Sequence, residues 1–261
     1  MTRVTLPNGI CVDAADEAEV ALLYREIFVN ACYLRGGIDL EPGDTVVDVG
    51  AHIGLASLFF HQCTRDLRLI DIEPSPPTFG SLTRNLAGNG VRATLLNLGV
   101  ADREEVREFN FYPSATGMSG QYTDPDRDRA LTARHLESQG MSQRDIDELL
   151  ADRYLRVPYR CRVCPLHSLL DDLGVPEVGL LKVDAERSEL EILEAVPRRR
   201  WETIRQVTAE VHDEPGRVAR VHEILSEAGF TVDVLPNETI PISDVLHVVG
   251  IRRGQTGGTP C

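Results

Sequence analysis

The feature that most constrains this chain is a strand–turn–helix pattern followed by a strand that ends in an acid. Residues 46–49 (VVDV) lead into a turn with Gly50 and Gly54, which is typical of a buried strand that enters a helix. A second apolar strand ends in Glu73, 19 positions after Gly54, where a ribose diol lies in a doubly wound sheet. The pattern predicts a nucleoside site in an α/β fold.

The glycine spacing separates two kinds of nucleoside ligand. A dinucleotide fingerprint that begins at Gly50 requires glycine at position 52, for close approach to a pyrophosphate, and again at 55. This chain has His52 and Leu55 there, which disfavours an NAD-dependent oxidoreductase. A ligand with adenosine and ribose but no phosphate fits better, and S-adenosylmethionine is such a ligand.

Composition favours one α/β domain that acts on a small molecule. The chain has 261 residues, and 42% of them are hydrophobic, which allows a full core. With 41 acidic and 27 basic residues, the net charge is −14, which argues against nucleic-acid and anionic-membrane partners. The expected partner is a small-molecule substrate, and the sequence leaves open a homodimer.

Two further observations concern location and metals. The N-terminal residues lack an apolar signal segment and no stretch approaches the roughly 20 apolar residues of a membrane span, so a cytoplasmic protein is predicted. Cys161 and Cys164 have no second pair that would complete a zinc site. Paired acids such as Asp184 and Asp213 can in principle bind Mg²⁺, but they lack the spacing of a ligand cluster, so no metal is predicted.

Strands and helices are predicted to alternate along one domain, 1–252. Apolar patterning predicts strands at 45–49, 67–72, 92–98, 106–112, 157–163, 178–183, 204–211, 230–235 and 245–251. It predicts helices at 16–29, 53–61, 168–173, 186–195 and 216–228, and one after Ser75 that ends near Gly88. Residues 1–43 form a covering segment, and residues 253–261 are expected to be a flexible tail.

The segment 113–156 interrupts this alternation of strands and helices. It carries Gly117 and Gly120 near its start, followed by a polar stretch at 126–154 with helical character. Such a long excursion within a compact domain is usually functional or disordered. We therefore predict a lid over the substrate, with a solvated surface excursion as the alternative.

Four sequence blocks together resemble the FkbM-type methyltransferases, class I enzymes that use S-adenosylmethionine. The blocks are residues 46–54 (VVDVGAHIG), 72–74 (IEP), 181–190 (LKVDAERSEL) and 210–213 (EVHD). The resemblance implies a Rossmann-like, doubly wound, seven-stranded mixed sheet with helices on both sides, and a role in natural product biosynthesis. The chain departs from the family at His52 and Arg187, where the family often has Asn and Gly.

Several strand ends are expected to converge on one crevice, because ligands of open α/β sheets bind at the carboxyl ends of the strands. There Glu73 would accept hydrogen bonds from the ribose hydroxyls, and Ala101 and Asp102 would lie along the adenine. In the structural alternative, Gly50 and Gly54 only allow the chain to turn from strand to helix, and Glu73 only interacts favourably with the N-terminal dipole of the following helix. The predicted cofactor-binding residues are Asp48, Gly50, Ala51, His52, Gly54, Glu73, Ala101, Asp102 and Asp184.

Catalysis of methyl transfer requires a nucleophile in line with the methyl group and removal of its proton. His212 is the candidate base, with Glu210 and Asp213 expected to orient its ring. Asp184 and Glu186 are predicted to hold the substrate or stabilise the sulfonium, and Lys182 to be an ion-pair partner. The predicted activity is O-methylation of a small natural-product or sugar-like molecule; an N-methyltransferase and a non-catalytic nucleoside-binding module are the alternatives.

Overall fold

The computed structural model describes residues 1–240 and 244–252. In chain order, its strands are β1 (Thr2–Thr5), β2 (Cys11–Ala14), β3 (Thr45–Val49), β4 (Arg68–Ile72), β5 (Ala93–Leu96), β6 (Gly99–Val100), β7 (Glu105–Phe111), β8 (Val157–Cys164), β9 (Val178–Val183), β10 (Ile204–His212), β11 (Thr231–Pro236) and β12 (Val245–Ile251). Its α-helices are α1 (Glu17–Tyr24), α2 (Leu55–Cys63), α3 (Pro76–Gly88), α4 (Pro125–Ser138), α5 (Gln143–Leu149), α6 (Leu166–Asp172), α7 (Glu189–Glu194), α8 (Arg198–Trp201) and α9 (Arg217–Glu227).

The main sheet is mixed and has seven strands in the order β11-β12-β10-β9-β3-β4-β5. β10, β9, β3, β4 and β5 are mutually parallel, whereas β12 runs antiparallel to its neighbours β10 and β11. This confirms the predicted doubly wound, seven-stranded mixed sheet. Because the chain winds outward in both directions from the β3–β9 junction, the carboxyl edge of these strands is the position at which such sheets bind ligands.

The central strands are buried on both faces. All six residues of β9 are buried, and alternate residues belong to different apolar clusters. Val47 and Leu181 pack in one cluster with α9, whereas Val46 and Leu180 pack in the other with α2. Alternation of this kind places the two clusters on opposite faces of the sheet, so the carboxyl edge lies on a rigid scaffold.

A second, three-stranded sheet extends the fold beyond the prediction. The strand expected at 92–98 ends at Leu96, and the next residues leave the main sheet as β6. β6 pairs in parallel with β8, which also pairs antiparallel with β7. The predicted lid leaves from β7 and returns through β8. Its helical part is divided into α4 and α5 by Gly140, which has a φ of +86°.

The N-terminal segment covers part of the carboxyl edge. A β1–β2 hairpin, absent from the prediction, precedes α1, which continues as a π-helical turn, Arg25–Val29. Val20 and Ile27 of this segment pack with α2. The predicted tail 253–261 lies outside the described residues. Within the two described ranges, none of the helices has the length and apolar character needed to span a bilayer.

Candidate active site

Seven of the predicted site residues, Ala51 and His52 among them, line one cavity at the carboxyl edge of the main sheet. The cavity has a volume of about 660 Å³, within the roughly 300–1,000 Å³ range of small-molecule sites. Gly50 follows β3, Glu73 follows β4, Asp184 and Glu186 follow β9, and His212 ends β10. The strands therefore bring together residues that are far apart in the sequence.

The turn after β3 depends on the two predicted glycines for different reasons. Gly50 has a φ of +81°, and a Cβ there would lie 1.7 Å from the backbone oxygen of Asp184. Its N–H and that of Ala51 both donate to the Ile72 carbonyl at 3.0 Å. Gly54 has a φ of +89°, and its Cβ would lie 2.8 Å from the side chain of Leu82. Gly50 allows close approach of β3 and β9, whereas Gly54 allows close packing of α3.

Asp48 and Lys182 form a buried ion pair beneath the turn. The Lys182 Nζ donates to Asp48 Oδ1 at 2.6 Å and to the Gly50 carbonyl at 2.8 Å, and lies 3.7 Å from Asp184 Oδ2. Burial opposes the charge on Lys182, but the Asp48 carboxylate outweighs it and raises the lysine pKa. Lys182 is thus the ion-pair partner that was predicted, and through it Asp48 orients the turn.

Glu73 is a buried carboxyl group in the cavity wall. Its Oε2 accepts from the His52 N–H at 3.0 Å, and its Oε1 accepts from the Ser75 N–H at 2.8 Å. Burial raises its pKa to about 7, although these two backbone donors favour the ionised form. Each oxygen of an ionised carboxylate can accept a further hydrogen bond, so Glu73 can receive hydroxyl donors from a bound ligand.

The two departures from the family sequence share one backbone conformation. His52 has a φ of +50° and Arg187 a φ of +72°. This left-handed region suits Gly and is tolerated by Asn, the residues that the family often has at these positions. The backbone at these two positions is therefore one that glycine adopts readily, and the larger side chains of His52 and Arg187 both make further contacts.

His52 connects the turn to the lid and to α1. Its Nε2 lies 2.7 Å from Thr116 Oγ1, and Thr116 donates to Glu19 Oε2 at 2.6 Å. The Gly117 N–H donates to the other oxygen of Glu19 at 2.7 Å. Sequence reasoning missed Thr116 and Glu19, because neither lies in a motif. Through these contacts with His52 and Glu19, the start of the lid is hydrogen-bonded across the cavity mouth.

Tyr33 is a second residue that the sequence did not reveal. It is buried, and its hydroxyl donates to Asp184 Oδ2 at 2.7 Å. Asp184 is therefore held between Tyr33 and Lys182 while its carboxylate still faces the cavity. The covering segment thus supplies part of the site.

His212 has different carboxylate neighbours from those predicted. Its Nε2 lies 3.5 Å from Glu186 Oε2, and its Nδ1 lies 3.7 Å from Glu189 Oε1. Burial opposes a charge on the ring, but these two carboxylates outweigh it and raise the pKa of His212 well above its usual value. The expectation that Glu210 and Asp213 orient the ring was wrong. The carboxylates that face the two ring nitrogens belong to the loop after β9 and to the start of α7.

Glu210 instead faces a separate polar group formed with Glu26 and His247. One ligand atom from each of these residues lies within 4.8 Å of the others. Burial raises the pKa of Glu26 to about 7 and that of Glu210 well above its usual value, and it lowers the pKa of His247 to about 4. His247 is therefore neutral at physiological pH, between two acids that line the cavity.

Ala101 and Asp102 lie away from the other predicted site residues. Asp102 is partly exposed and pairs with Arg107, while the Ala101 N–H donates to the Cys164 carbonyl in the second sheet. The cavity wall is formed at this point by the preceding residues, Leu98, Gly99 and Val100. Their position follows from the departure of β6 from the main sheet.

The lid contributes an apolar wall on the far side of the cavity. Met118, Leu131, Leu136 and Tyr154 line it, together with His135. Beneath them, Tyr112, Ile146 and Leu150 form a small buried cluster that holds the two lid helices together. The segment predicted as a lid thus lies over the strand ends.

The strand order, with a cavity at the carboxyl edge, defines the fold of class I methyltransferases. A crystal structure of methyltransferase FkbM from Methylobacillus flagellatus has the same fold, with a TM-score of 0.52 and 17% identity, over 90% of this chain and 55% of that one. The Methyltransferase FkbM domain profile matches residues 48–232. The chain belongs to the FkbM methyltransferase family, as the sequence blocks predicted.

Two curated relatives support the same assignment. The 31-O-demethyl-FK506 methyltransferase FkbM of Streptomyces tacrolimicus is 37% identical over 95% of both chains. The AMB antimetabolite synthetase AmbE of Pseudomonas aeruginosa is 31% identical over 97% of this chain, which spans 12% of that protein. The chain is thus a methyltransferase, and its family implies a methyl donor.

Proposed function

We propose that this protein transfers a methyl group from S-adenosylmethionine to a hydroxyl group of a small natural-product-like molecule. The observation that carries the proposal is one cavity with two chemically distinct ends. Glu73 and the Gly50 turn lie at one end, and Glu186 and His212 lie at the other, with Asp184 between them. A donor and an acceptor can therefore meet in one enclosed space under the lid.

The donor end fits S-adenosylmethionine. Glu73 offers carboxylate oxygens to the ribose hydroxyls, and Ile72, Leu98 and Val100 offer an apolar surface beside it for the adenine. Asp184 provides negative charge near the expected position of the sulfonium, which is favourable in a site shielded from water. When bound, S-adenosylmethionine supplies a methyl group that is already activated for transfer.

The acceptor end provides for the proton that a hydroxyl must lose. Glu186 and His212 form a close pair that lines the cavity. We assign proton removal to this pair: the Glu186 carboxylate accepts the proton, and the His212 ring, whose raised pKa keeps it charged, orients that carboxylate, with Glu189 3.7 Å from the second ring nitrogen. General base catalysis of this kind typically contributes about 10²–10⁴-fold in rate.

Oxygen is favoured as the acceptor atom for two reasons. The relative with 37% identity over 95% of both chains is named for methylation of an O-demethyl compound. A hydroxyl acceptor also gives the Glu186–His212 pair a proton to remove, whereas an amine can enter as a neutral nucleophile that needs less help from a base.

The test is a turnover assay with S-adenosylmethionine and a panel of matched acceptors. Hydroxyl-bearing macrocycles and sugars are compared with their amino analogues, S-adenosylhomocysteine is quantified, and products are identified by mass spectrometry. We expect O-methylated product from wild type, about 10²–10⁴-fold less from His212→Asn, and weak donor binding in Glu73→Gln. The exposed Arg162→Gln serves as the control variant. Product only from amines would establish N-methylation instead, and failure of wild type to bind the donor would refute the proposal.

A further inference from the structure

A second group of side chains with metal-binding chemistry lies beside the methyl-transfer site. Glu210 of β10 and His247 of β12 are directly opposite each other in the antiparallel ladder, so their side chains project from the same face of the sheet. Glu26, from the π-helical turn Arg25–Val29, approaches both of them. Ligand atoms from the three residues all lie within 4.8 Å of one another.

We propose that Glu26, Glu210 and His247 bind a divalent transition-metal ion such as Mn²⁺ or Zn²⁺. Carboxylate oxygens and an imidazole nitrogen together suit these ions. Bonds of about 2.0–2.2 Å place neighbouring donors of one ion about 3.0–3.6 Å apart, closer than the upper limit of 4.8 Å between these atoms. Small rotations of the three side chains are therefore enough to reach bonding distance.

The state of His247 is an independent indication of a ligand. Its exposed fraction is only 1%, and its Nδ1 has no hydrogen-bond partner within the described part of the chain. Buried polar atoms are nearly always hydrogen-bonded, and exceptions call for an explanation such as a bound ion. A divalent cation would also stabilise both neighbouring carboxyl groups in their charged form in this poorly solvated place.

A hydrogen bond from outside the group holds one ligand in place. The Asn237 Nδ2 donates to Glu26 Oε1 at 2.9 Å, and the Asn237 Oδ1 accepts from the N–H groups of Thr239 and Ile240 at 2.9 Å. Such supporting bonds orient the ligands of metal sites. Glu26 and Glu210 also line the main cavity, so an ion held by them would be within reach of an acceptor bound there.

The ion would activate the acceptor, and this role rests on the function proposed above. Bound to the hydroxyl oxygen, it would lower the pKa of that hydroxyl by stabilising the negative oxygen. The O–H bond breaks and its proton passes to the Glu186–His212 pair. The oxygen then forms its bond to the methyl carbon, and the electron pair of the broken C–S bond stays on sulfur.

The test is calorimetric titration of the chelator-treated full chain with MnCl₂ and, separately, ZnCl₂. We expect one saturable site per chain in wild type for at least one of the two ions. Glu210→Gln and Glu26→Gln should bind that ion at least about tenfold more weakly. His247→Leu should do the same if its melting temperature shows that it is folded. Glu104→Gln is the control, since it removes a carboxylate that is exposed on the surface and pairs with Arg162, and it should keep wild-type ion affinity.

Two results would overturn the ion site: no saturable binding of either ion to wild type, or a loss in Glu104→Gln as large as that in Glu210→Gln. The same samples are titrated with S-adenosylhomocysteine. Failure of that titration alone refutes the methyl-transfer proposal and leaves the ion site established, whereas normal S-adenosylhomocysteine binding without ion binding refutes only the ion site.

Discussion

Arg187 and Asp128 form a buried ion pair that joins the loop after β9 to the first lid helix, α4. The Arg187 Nη2 donates to Asp128 Oδ1, and its Nη1 donates to the Tyr122 carbonyl at 2.9 Å. The exposed fractions of the two side chains are 7% and 1%. The family often has glycine where Arg187 stands, so this connection depends on the side chain that the present chain places there.

Removal of Asp128 should therefore destabilise the lid strongly. Asp128→Ala leaves a buried guanidinium without its partner, which typically costs about 3–5 kcal/mol. We expect a lower melting temperature and faster hydrogen exchange across α4 and α5. Arg162, which pairs with Glu104 on the surface, is the control, and Arg162→Gln should produce no measurable change. Equal effects of the two variants would contradict the assignment.

The close approach at Gly50 predicts a loss of donor binding in Gly50→Ala. The added methyl group must displace the Asp184 backbone, whose oxygen would otherwise lie 1.7 Å away. Gly43 is a matched control, because it has a φ of +94° but nothing within 4 Å of an added Cβ. Gly43→Ala should show only the conformational cost, about 1–2 kcal/mol, with normal S-adenosylhomocysteine affinity. Normal affinity in Gly50→Ala as well would exclude this explanation.

Donor affinity should depend on pH through Glu73. Burial raises its pKa to about 7, so the free protein carries the protonated form at lower pH and loses carboxylate acceptor capacity for the ribose. Affinity for S-adenosylhomocysteine should therefore increase as pH rises from 6 to 8, by up to about tenfold. Fluorescence or calorimetric titrations at each pH measure this, and in Glu73→Gln the slope should disappear. If the affinity of Glu73→Gln still increased with pH, the pH dependence would belong to another titratable group.

We predict that replacement of the buried Asp71 carboxyl group by an amide stabilises the protein, and that the gain increases with pH. Burial, with the nearby Asp48, raises its pKa to about 8, well above the value of about 3.9 in an unfolded chain. Between these values the folded state holds a proton that the unfolded state lacks, so stability falls as pH rises. Asp71→Asn stays neutral and still accepts from the Ser57 hydroxyl, which donates to Asp71 Oδ1 at 2.7 Å.

The melting temperatures of wild type and Asp71→Asn should therefore diverge as pH rises. They should be similar near pH 4, and the variant should be more stable by several degrees near pH 8. Exposed Asp233→Asn provides the comparison. A constant difference across this range would show that Asp71 does not carry the proton.

Much of the candidate site could be predicted because its residues directly follow apolar strands. Gly50, Glu73, Asp184 and Glu186 follow β3, β4 and β9, and parallel strands necessarily bring their carboxyl ends to one edge. Asp102 was expected there by the same logic. It lies elsewhere because β6 pairs with β8 in a second sheet, a non-local choice that residues 92–102 do not encode.

The group of Glu26, Glu210 and His247 could not be predicted, because it combines remote segments. Glu26 precedes the first central strand, and His247 lies in the last described strand, opposite Glu210. The periodicity of apolar residues identifies helices and strands, but it does not show which of them pack together. His212 shows the same limit: its position at a strand end was predicted, but its partners Glu186 and Glu189 depend on the left-handed residues after β9.

The placement of the covering segment and lid has a consequence for how acceptor preference can change. The donor end is built on sheet residues whose register serves the whole core, so substitutions there threaten folding. The apolar wall of Leu131 and Leu136 lies on α4, outside the seven-stranded sheet. Exchange of residues 113–156 between relatives should therefore transfer acceptor preference while the main sheet, and Tyr33 that holds Asp184, are kept, which makes this segment the natural unit for engineering.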